Sequence, residues 1–549
     1  MQKIFLSHSS ADKELYVSIV ARRLIREFGE DSVIFDELTF QEGRKTIEEI
    51  EDNLDVTDLF VFFVSNDSLN SDWVIKELFR AKELWKEKKL QQICPIIINP
   101  EIKYDDDRIP KWLQENYNLQ YISRPIKAAQ IIEQRMIELS FERHPRLKER
   151  NEIFVGRNDL IKSFEERMDD FEKEKPICIV ASGIKSIGRT TLVKKCIFKS
   201  NIKKSSYPFP RICINYNESI EDFILKLYDL GLFETMDMSG LMTKSLGKKI
   251  EIAIDFVKIL QDQDEIVIIE DNGSIINHDG IVDEWFTKVM EYEKLNNKVT
   301  LCLISKFRLR YFGEGVSYST RQKLFHLSIG ELIKKERDGL LGRYLQFEKI
   351  ELNLEDKRLI SGLLVGFPEQ VFYSVELIKE RGLEYVKKNT DQIVEFNNKK
   401  ASIMIKDIEQ DKDKISFLAL ISSFDYISIK YIYDVVDNEK KYIKYIDEFI
   451  SNAICEYVGV MKEYIRVNET IKDYVVRNNY QMDQKHRKKL DLNLNDFLKN
   501  LKMNEYDIPE YLFSLKDALL KNKKIDEKYI IPSLYLKTMN DLYIERKNR

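Results

Sequence analysis

At 549 residues the chain is long enough for about three to five domains with separate cores. A composition 43% apolar and 33% charged, with 19 Gly and 11 Pro, excludes collagenous or low-complexity character and suits a helix-rich globular protein. The formal net charge of −5 gives no global attraction to nucleic acid, and no apolar run reaches the roughly 20 residues that cross a bilayer.

The opening residues, MQKIFLSHSS, lack the basic and long apolar regions of a secretory signal, so a cytoplasmic location is expected. Cys94, Cys178, Cys196, Cys213, Cys302 and Cys455 have neither disulfide-framework nor zinc spacing and fit buried thiols in a reducing compartment. Five scattered histidines argue against a histidine-based metal site. The richness in Lys, Ile and Asn suggests an AT-rich prokaryotic source.

Strand and helix patterns alternate over residues 1–141. Lys3–Ser7 reads as a strand, Asp12–Phe28 as a helix, Val33–Asp36 as a strand and Thr46–Asn53 as a helix. Leu59–Ser65 and Ile93–Ile98 supply further apolar strands, and Lys127–Phe141 a closing amphipathic helix. This alternation predicts a mainly parallel sheet covered by helices on both faces. Residues 142–152 are charged and read as a linker.

The richest stretch is Leu59–Leu78, LFVFFVSNDSLNSDWVIKEL. A buried strand runs into turn chemistry at Ser65–Ser68, and Ser71 or Asp72 is placed to cap the next helix. Trp73 and Glu77 then share one helix face, because positions i and i+4 are neighbours. A carboxylate beside an indole near the C-terminal edge of a strand is where an α/β domain puts a ligand site. A surface glutamate on a helix whose Trp packs in the core is the alternative.

Four ordered segments of this region together resemble the Toll/interleukin-1 receptor (TIR) family: IFLSHSSADKE, VIFDELTFQEGRKTIEEI, FVFFVSNDSLNSDWVIKEL and ICPIIINP. The resemblance implies a flavodoxin-like α/β fold and one of two roles: a self-associating scaffold, or an enzyme that cleaves the nicotinamide–ribose bond of NAD⁺. Enzymatic members carry a Glu on the third-block helix, often as Trp-x-x-x-Glu, which Trp73–Glu77 matches. Loss of nicotinamide leaves an oxocarbenium-like ribosyl cation, and a fixed anion beside it stabilises the transition state. The resemblance therefore implies Glu77 as the catalytic residue, with Trp73 shaping the pocket wall. It also places His8 and Ser9 at the pocket edge, although an aromatic and a basic residue are commoner there. Asp36 and Gly43 match the family's Asp and Gly in the loop after the second strand. Arg44 and Lys45 could meet NAD⁺ phosphates or a neighbouring subunit, or be solvated loop charges.

A second α/β region begins near Ile153, with strands expected at Ile177–Ala181, Arg211–Asn215, Glu265–Ile269 and Val299–Ser305. The first runs into Gly183-Ile184-Lys185-Ser186-Ile187-Gly188-Arg189-Thr190-Thr191, a G-x-x-x-x-G-[K]-[T] pattern with Arg in place of Lys. Such a loop wraps phosphate oxygens in backbone N–H groups at a helix N-terminus. Thr190 would be the Mg²⁺-side hydroxyl, and Glu270 and Asp271 end an apolar strand as a Walker B strand requires.

Phe154-Val155-Gly156-Arg157 upstream resembles the segment that precedes the P-loop in STAND NTPases. Lys306 sits at the family's sensor-1 strand end. Pro368 in Gly366-Phe367-Pro368 matches its adenine-side G-x-P, and Asn468 replaces the usual His of its Met-His-Asp. The resemblance implies ATP or ADP binding with Mg²⁺. Arg189, Glu270 and Asn468 depart from the pattern and suggest a weak ATPase used as a latch.

Beyond residue 328 helical periodicity dominates, apart from Ile454–Val467, two β-rich runs suggesting a hairpin. The expected architecture is multidomain: an α/β TIR domain at 1–141, a linker at 142–152 and an α/β P-loop NTPase domain at 153–328. An all-α helical subdomain at 329–405, a winged helix at 406–478 and a helical tail at 479–549 follow. The acidic character of Tyr442–Ile454 argues for an intramolecular clamp over DNA binding.

The two resemblances imply an antiphage NAD⁺ hydrolase switched on by nucleotide-gated self-oligomerisation. The short tail leaves sensing either to the tail itself or to a separate sensor protein, with a phage-derived trigger. A non-enzymatic TIR scaffold and a nucleotide-gated DNA-binding regulator are the competing readings. The product, ADP-ribose or a cyclic isomer, and the stoichiometry are open.

Overall fold

Buried strands with helices packed on alternate sides form the first part of the chain. The computed structural model describes residues 3–35, 53–233, 240–310, 318–458, 463–500 and 508–521, with 525, 535, 536, 538–540, 542 and 543 in the C-terminal tail. The chain divides into two compact units. One comprises Met1–Glu152, Ile197–Ile212 and Ser219–Ile268; the other comprises Ile153–Cys196, Cys213–Glu218 and Ile269–Arg549.

In the first unit, β1 (Ile4–Ser7), β2 (Val33–Ile34), β3 (Leu59–Val64) and β4 (Gln92–Ile97) form a parallel sheet in the order β2-β1-β3-β4. All of β3 is buried, and its alternate residues serve two cores. Leu59, Val61 and Phe63 pack with Val20, Leu24, Ile132 and Met136 from helices Ser18–Phe28 and Pro125–Arg143. Phe60, Phe62 and Val64 pack with Val74, Leu78 and Ala81 of helix Asp72–Lys86. That period of two explains why β3 reads as a continuous apolar run. Pro95 lies in β4, at the end of the strand order, where a missing N–H is tolerated.

The segment expected as a linker is helical. Helix Pro125–Arg143 runs on to Arg143, and Pro145–Glu152 forms a second, exposed helix. Alternating charges are compatible with a solvated helix as well as with irregular chain. The expected helix at Thr46–Asn53 lies outside the described residues except for Asn53. The remainder of this unit is mainly helical, with helices Ile220–Tyr228 and Leu246–Asp262.

In the second unit, β5 (Cys178–Ser182) lies between and parallel to β8 (Leu301–Ser305) and β9 (Leu324–Ser328). With the ends of β6 (Arg211–Ile214) and β7 (Val267–Asp271), the strand order is β6-β7-β8-β5-β9. The P-loop strand is therefore internal, flanked by strands distant in sequence. β9 was not expected. Its residues LFHLS show no clean alternation, and their extended form is fixed by pairing with β5, from Cys178↔Leu324 to Ser182↔Ser328.

The rest of the second unit is largely helical, from Lys334–Glu348 through Asp391–Glu409. Helix Lys412–Ser422, β10 (Ile427–Ser428), helices Ile429–Val435 and Glu439–Ser451, and strands β11 (Cys455–Val458) and β12 (Tyr464–Val467) follow. These three strands form an antiparallel sheet in the order β10-β12-β11. Five of the six cysteines are buried; Cys213 is exposed, which corrects the expectation for that thiol. No helix among the described residues is long and apolar enough to cross a membrane.

Candidate functional site

The strand order of the first sheet reverses between β1 and β3, since the chain steps outward from β1 to β2 before returning as β3. Loops after two such strands diverge and leave a crevice at their carboxyl ends. Ser7, His8 and Ser9 leave β1 there, and Ser65 leaves β3. Ser65 closes a capping box with Ser68, which starts a short helical turn at Asn66–Leu69. Ser71 then caps helix Asp72–Lys86 by accepting the Val74 N–H at 3.4 Å.

These two caps set the register of Trp73 and Glu77. Trp73 is half-buried against the core that contains Val74 and Leu78. Glu77 retains only 8% of its exposure, and the Ser7 hydroxyl donates to its Oε2 at 2.6 Å. A nearly buried carboxylate is costly unless hydrogen-bonded, so this bond both offsets burial and aims the group. His8 Nδ1 lies 2.9 Å from the Leu6 carbonyl, and its ring stacks on Phe35 at 5.2 Å. Ser9 is partly buried and caps the following turn through Ala11 N–H.

Ser7 was not singled out from sequence, and neither was Asp12. Asp12 Oδ2 accepts a 2.5 Å hydrogen bond from Ser65, tying the loop after β1 to the end of β3. Burial pushes its carboxyl above the usual range, against the Ser65 hydrogen bond, which lowers it. Asp36, Gly43, Arg44 and Lys45 lie outside the described residues.

The P-loop region belongs to the second unit. Gly183 has φ +155°, and a Cβ there would lie 2.6 Å from the Ile329 carbonyl oxygen. Gly188 has φ +92°, which L side chains rarely adopt, and the Arg157 guanidinium packs beside it. Arg157 donates a hydrogen bond to the Ile187 carbonyl, and its own N–H donates to Glu336 Oε1 at 2.6 Å. Burial lowers the Arg157 pKa to about 10. The Phe154–Arg157 segment is thereby fastened onto the P-loop.

Arg189 opens helix Arg189–Lys199, followed by partly buried Thr190 and exposed Thr191. Burial lowers its pKa, while the charges of Glu270 and Asp271 raise it. Its Nη1 is buried with no hydrogen-bond partner among the described residues. A partly buried guanidinium with one unsatisfied nitrogen at a helix N-terminus suits a phosphate oxygen.

Glu270 and Asp271 divide in role. Glu270 is exposed, whereas Asp271 retains only 1% exposure. Asp271 Oδ1 accepts from the N–H groups of Gly273, Ser274 and Ile275 at 2.9–3.1 Å. Its Oδ2 accepts from Ile276 N–H and the Ser305 hydroxyl, both at 3.0 Å. Such a saturated carboxylate anchors the ends of β7 and β8, which differs from the nucleotide-contact role expected for Asp271.

Lys306 is exposed, with its ammonium 4.5 Å from the Phe307 ring centre. Pro368 starts helix Pro368–Arg381. Asn468 is buried; its Nδ2 donates to the Ala453 carbonyl, while Oδ1 has no partner among the described residues.

Comparison with known proteins places these sites in context. Residues 4–129 match the TIR domain family. No curated protein matches the chain. Among solved structures, a Walker-type ATPase of Pyrococcus abyssi is similar at 12% identity, covering 59% of this chain and 96% of that one, with a TM-score of 0.39. The Aeropyrum pernix ORC2 protein is similar at 12% identity over 58% of this chain and 93% of its own, with a TM-score of 0.28. AMPPCP-bound DnaA from Aquifex aeolicus is similar at 14% identity over 64% and 96%, with a TM-score of 0.29.

Proposed function

We propose that this chain, a TIR domain joined to a P-loop NTPase-like domain and a largely helical C-terminal region, is an NAD⁺ hydrolase whose activity is gated by nucleotide. The observation that carries the reading is Glu77, nearly buried at the strand-order reversal and held by Ser7 at 2.6 Å. A glutamate kept there only for solubility would face water.

In this reading the C–N bond between ribose and nicotinamide breaks, and its electron pair leaves with the nicotinamide. Glu77 stabilises the positive charge that develops on the ribose. Water adding at that carbon, with loss of a proton, gives ADP-ribose; capture by the adenine ring gives a cyclic isomer. Trp73 is assigned to one wall and His8 and Ser9 to the rim, and Asp36, Gly43, Arg44 and Lys45 are assigned to NAD⁺ binding.

The P-loop, with Gly183, Gly188, Arg189, Thr190 and Thr191, is assigned to ATP or ADP. Mg²⁺, held by Thr190 and Glu270, would neutralise phosphate charge. The unsatisfied Arg189 Nη1 supports the fit. Lys306, Pro368 and Asn468 are assigned to the nucleotide's periphery.

The order helix, short strand, two helices and hairpin over 412–467 supports a winged helix. Arg308 N–H donates to the Ser451 carbonyl and its Nη1 to the Cys455 carbonyl, each at 2.9 Å, and Arg310 pairs with Asp447 at 2.7 Å. These contacts favour an intramolecular clamp over a DNA-reading role. Release of the clamp, self-assembly and NAD⁺ cleavage in the cytoplasm during phage attack complete the proposal, with a separate sensor protein as the trigger's receptor.

The test is to incubate the 549-residue chain with NAD⁺, ATP and Mg²⁺ at assembling concentrations and measure free nicotinamide. Wild type releases it and Glu77→Gln does not.

A further inference from the structure

Helix Pro125–Arg143 has a mostly polar stripe opposite its apolar face. Ala128, Ala129, Ile132, Met136 and Leu139 bury its other face in the sheet core. Lys127, Gln134, Glu138 and Phe141, spaced by seven, four and three, share the opposite face.

That stripe is engaged within the first unit. Lys127 pairs with Glu265, whose side chain is wholly excluded from solvent. Glu265 also accepts the Tyr207 hydroxyl hydrogen, and the Tyr207 oxygen accepts the Ile266 N–H at 3.1 Å. Eleven positions along the helix from Lys127, Glu138 Oε1 accepts from the Ser206 hydroxyl at 2.9 Å. At the helix start Ile126 lies so close to Gly231 that a Cβ there would sit 2.5 Å from its Cγ1.

The chemistry of this contact is that of a separable interface. Apart from Ile126 against Gly231 these contacts are polar, and a cleft of about 880 Å³ opens beside them, lined by Glu138, Phe141, Phe198 and Lys204 among others. A permanent domain junction would instead bury a continuous apolar patch. Its location also matters. Glu265 precedes β7 by two residues, and β7 ends in Glu270 and Asp271. Residues 201–207 follow directly on the helix that begins at Arg189.

We infer that the Lys127–Glu138 face is a dock that parks the TIR domain on segments leading directly to the P-loop helix and to β7. Rearrangement of those elements on nucleotide exchange then decides whether the domain is held or free. Only the coupling rests on the nucleotide reading; the docking contact stands without it.

Hydrogen–deuterium exchange on the full chain tests both halves, in ADP and in AMPPCP, each with Mg²⁺, after nucleotide binding is checked by thermal shift. In wild type, exchange over 125–143 and 198–207 changes together by about tenfold between the two nucleotides. Lys127→Glu loses protection in both segments in the nucleotide that holds the dock, so that its exchange no longer differs between the two nucleotides, while β3 is unaffected. Unchanged exchange in Lys127→Glu overturns the dock. Loss of protection in Lys127→Glu with no nucleotide dependence in wild type that binds both nucleotides overturns the coupling. If Lys127→Glu also exposes β3, Glu138→Ala decides, because the other bonds of Glu138, to Gln134 and Arg135, lie within its own helix and Ser206 is its one hydrogen-bond partner across the contact among the described residues: faster exchange at 198–207 supports the dock, and none overturns it.

Discussion

Ser7 donates its hydroxyl hydrogen to Glu77 across 2.6 Å, although the two residues are 70 positions apart. Parallel pairing of β1 with β3, in register Ser7↔Phe62, brings the end of β1 level with the turn that launches the Glu77 helix. The bond is between a neutral donor and a carboxylate, a class that contributes about 1.5–3 kcal/mol. Ser7→Ala should therefore lower nicotinamide release roughly ten- to hundredfold. Ser7→Thr, which keeps the hydroxyl, should restore most of it. Equal rates in Ser7→Ala and wild type would remove the bond from the mechanism.

Arg189 should matter for nucleotide affinity. Its buried Nη1 lacks a partner, and Glu270 and Asp271 lie close enough to raise its pKa against the cost of burial. Arg189→Ala should weaken ATP binding by about tenfold or more, as measured by calorimetry. Arg189→Lys should retain binding.

Asp271 and Glu270 should separate stability from turnover. Asp271 satisfies four backbone N–H groups and the Ser305 hydroxyl. Asp271→Ala should destabilise the second unit by about 3 kcal/mol or more, seen as a lower melting temperature. Glu270→Gln, at an exposed position, should change stability by less than about 0.5 kcal/mol while reducing any ATP hydrolysis.

Glu331 should make stability depend on pH near neutrality. Its carboxylate accepts from Glu469 N–H at 2.6 Å and Thr470 N–H at 3.2 Å, at the start of helix Glu469–Arg477. Burial pushes its pKa up to about 7, against these hydrogen bonds, which lower it. The folded state thus keeps a proton that the unfolded chain has lost between about pH 4.5 and pH 7. Its stabilising contribution is complete below that window and is lost as pH rises through 7. Wild type should lose roughly 1–2 kcal/mol relative to Glu331→Gln between pH 5 and pH 8, measured by paired thermal melts.

Both α/β regions were legible because their strands are short, buried, mostly apolar and followed by turn residues, as β3 and β5 are. Glu77 was legible because its partner Trp73 is four residues away on the same helix. Ser7 and Asp12 were not, since their contacts to Glu77 and Ser65 are made by strand pairing across more than fifty residues. The saturation of Asp271 was hidden for a different reason: four backbone amides supply its partners, and backbone donors leave no trace in side-chain sequence. Helix Pro145–Glu152 was read as linker because its residues are all exposed, leaving no apolar stripe to reveal the period.

The central claim is that Glu77 cleaves NAD⁺ under nucleotide control, and free nicotinamide is its most direct readout. The 549-residue chain, assembled in ATP and Mg²⁺, should release nicotinamide from NAD⁺. Glu77→Gln should abolish release while leaving the melting temperature and nucleotide binding unchanged. Release by Glu77→Gln at the wild-type rate would contradict the account.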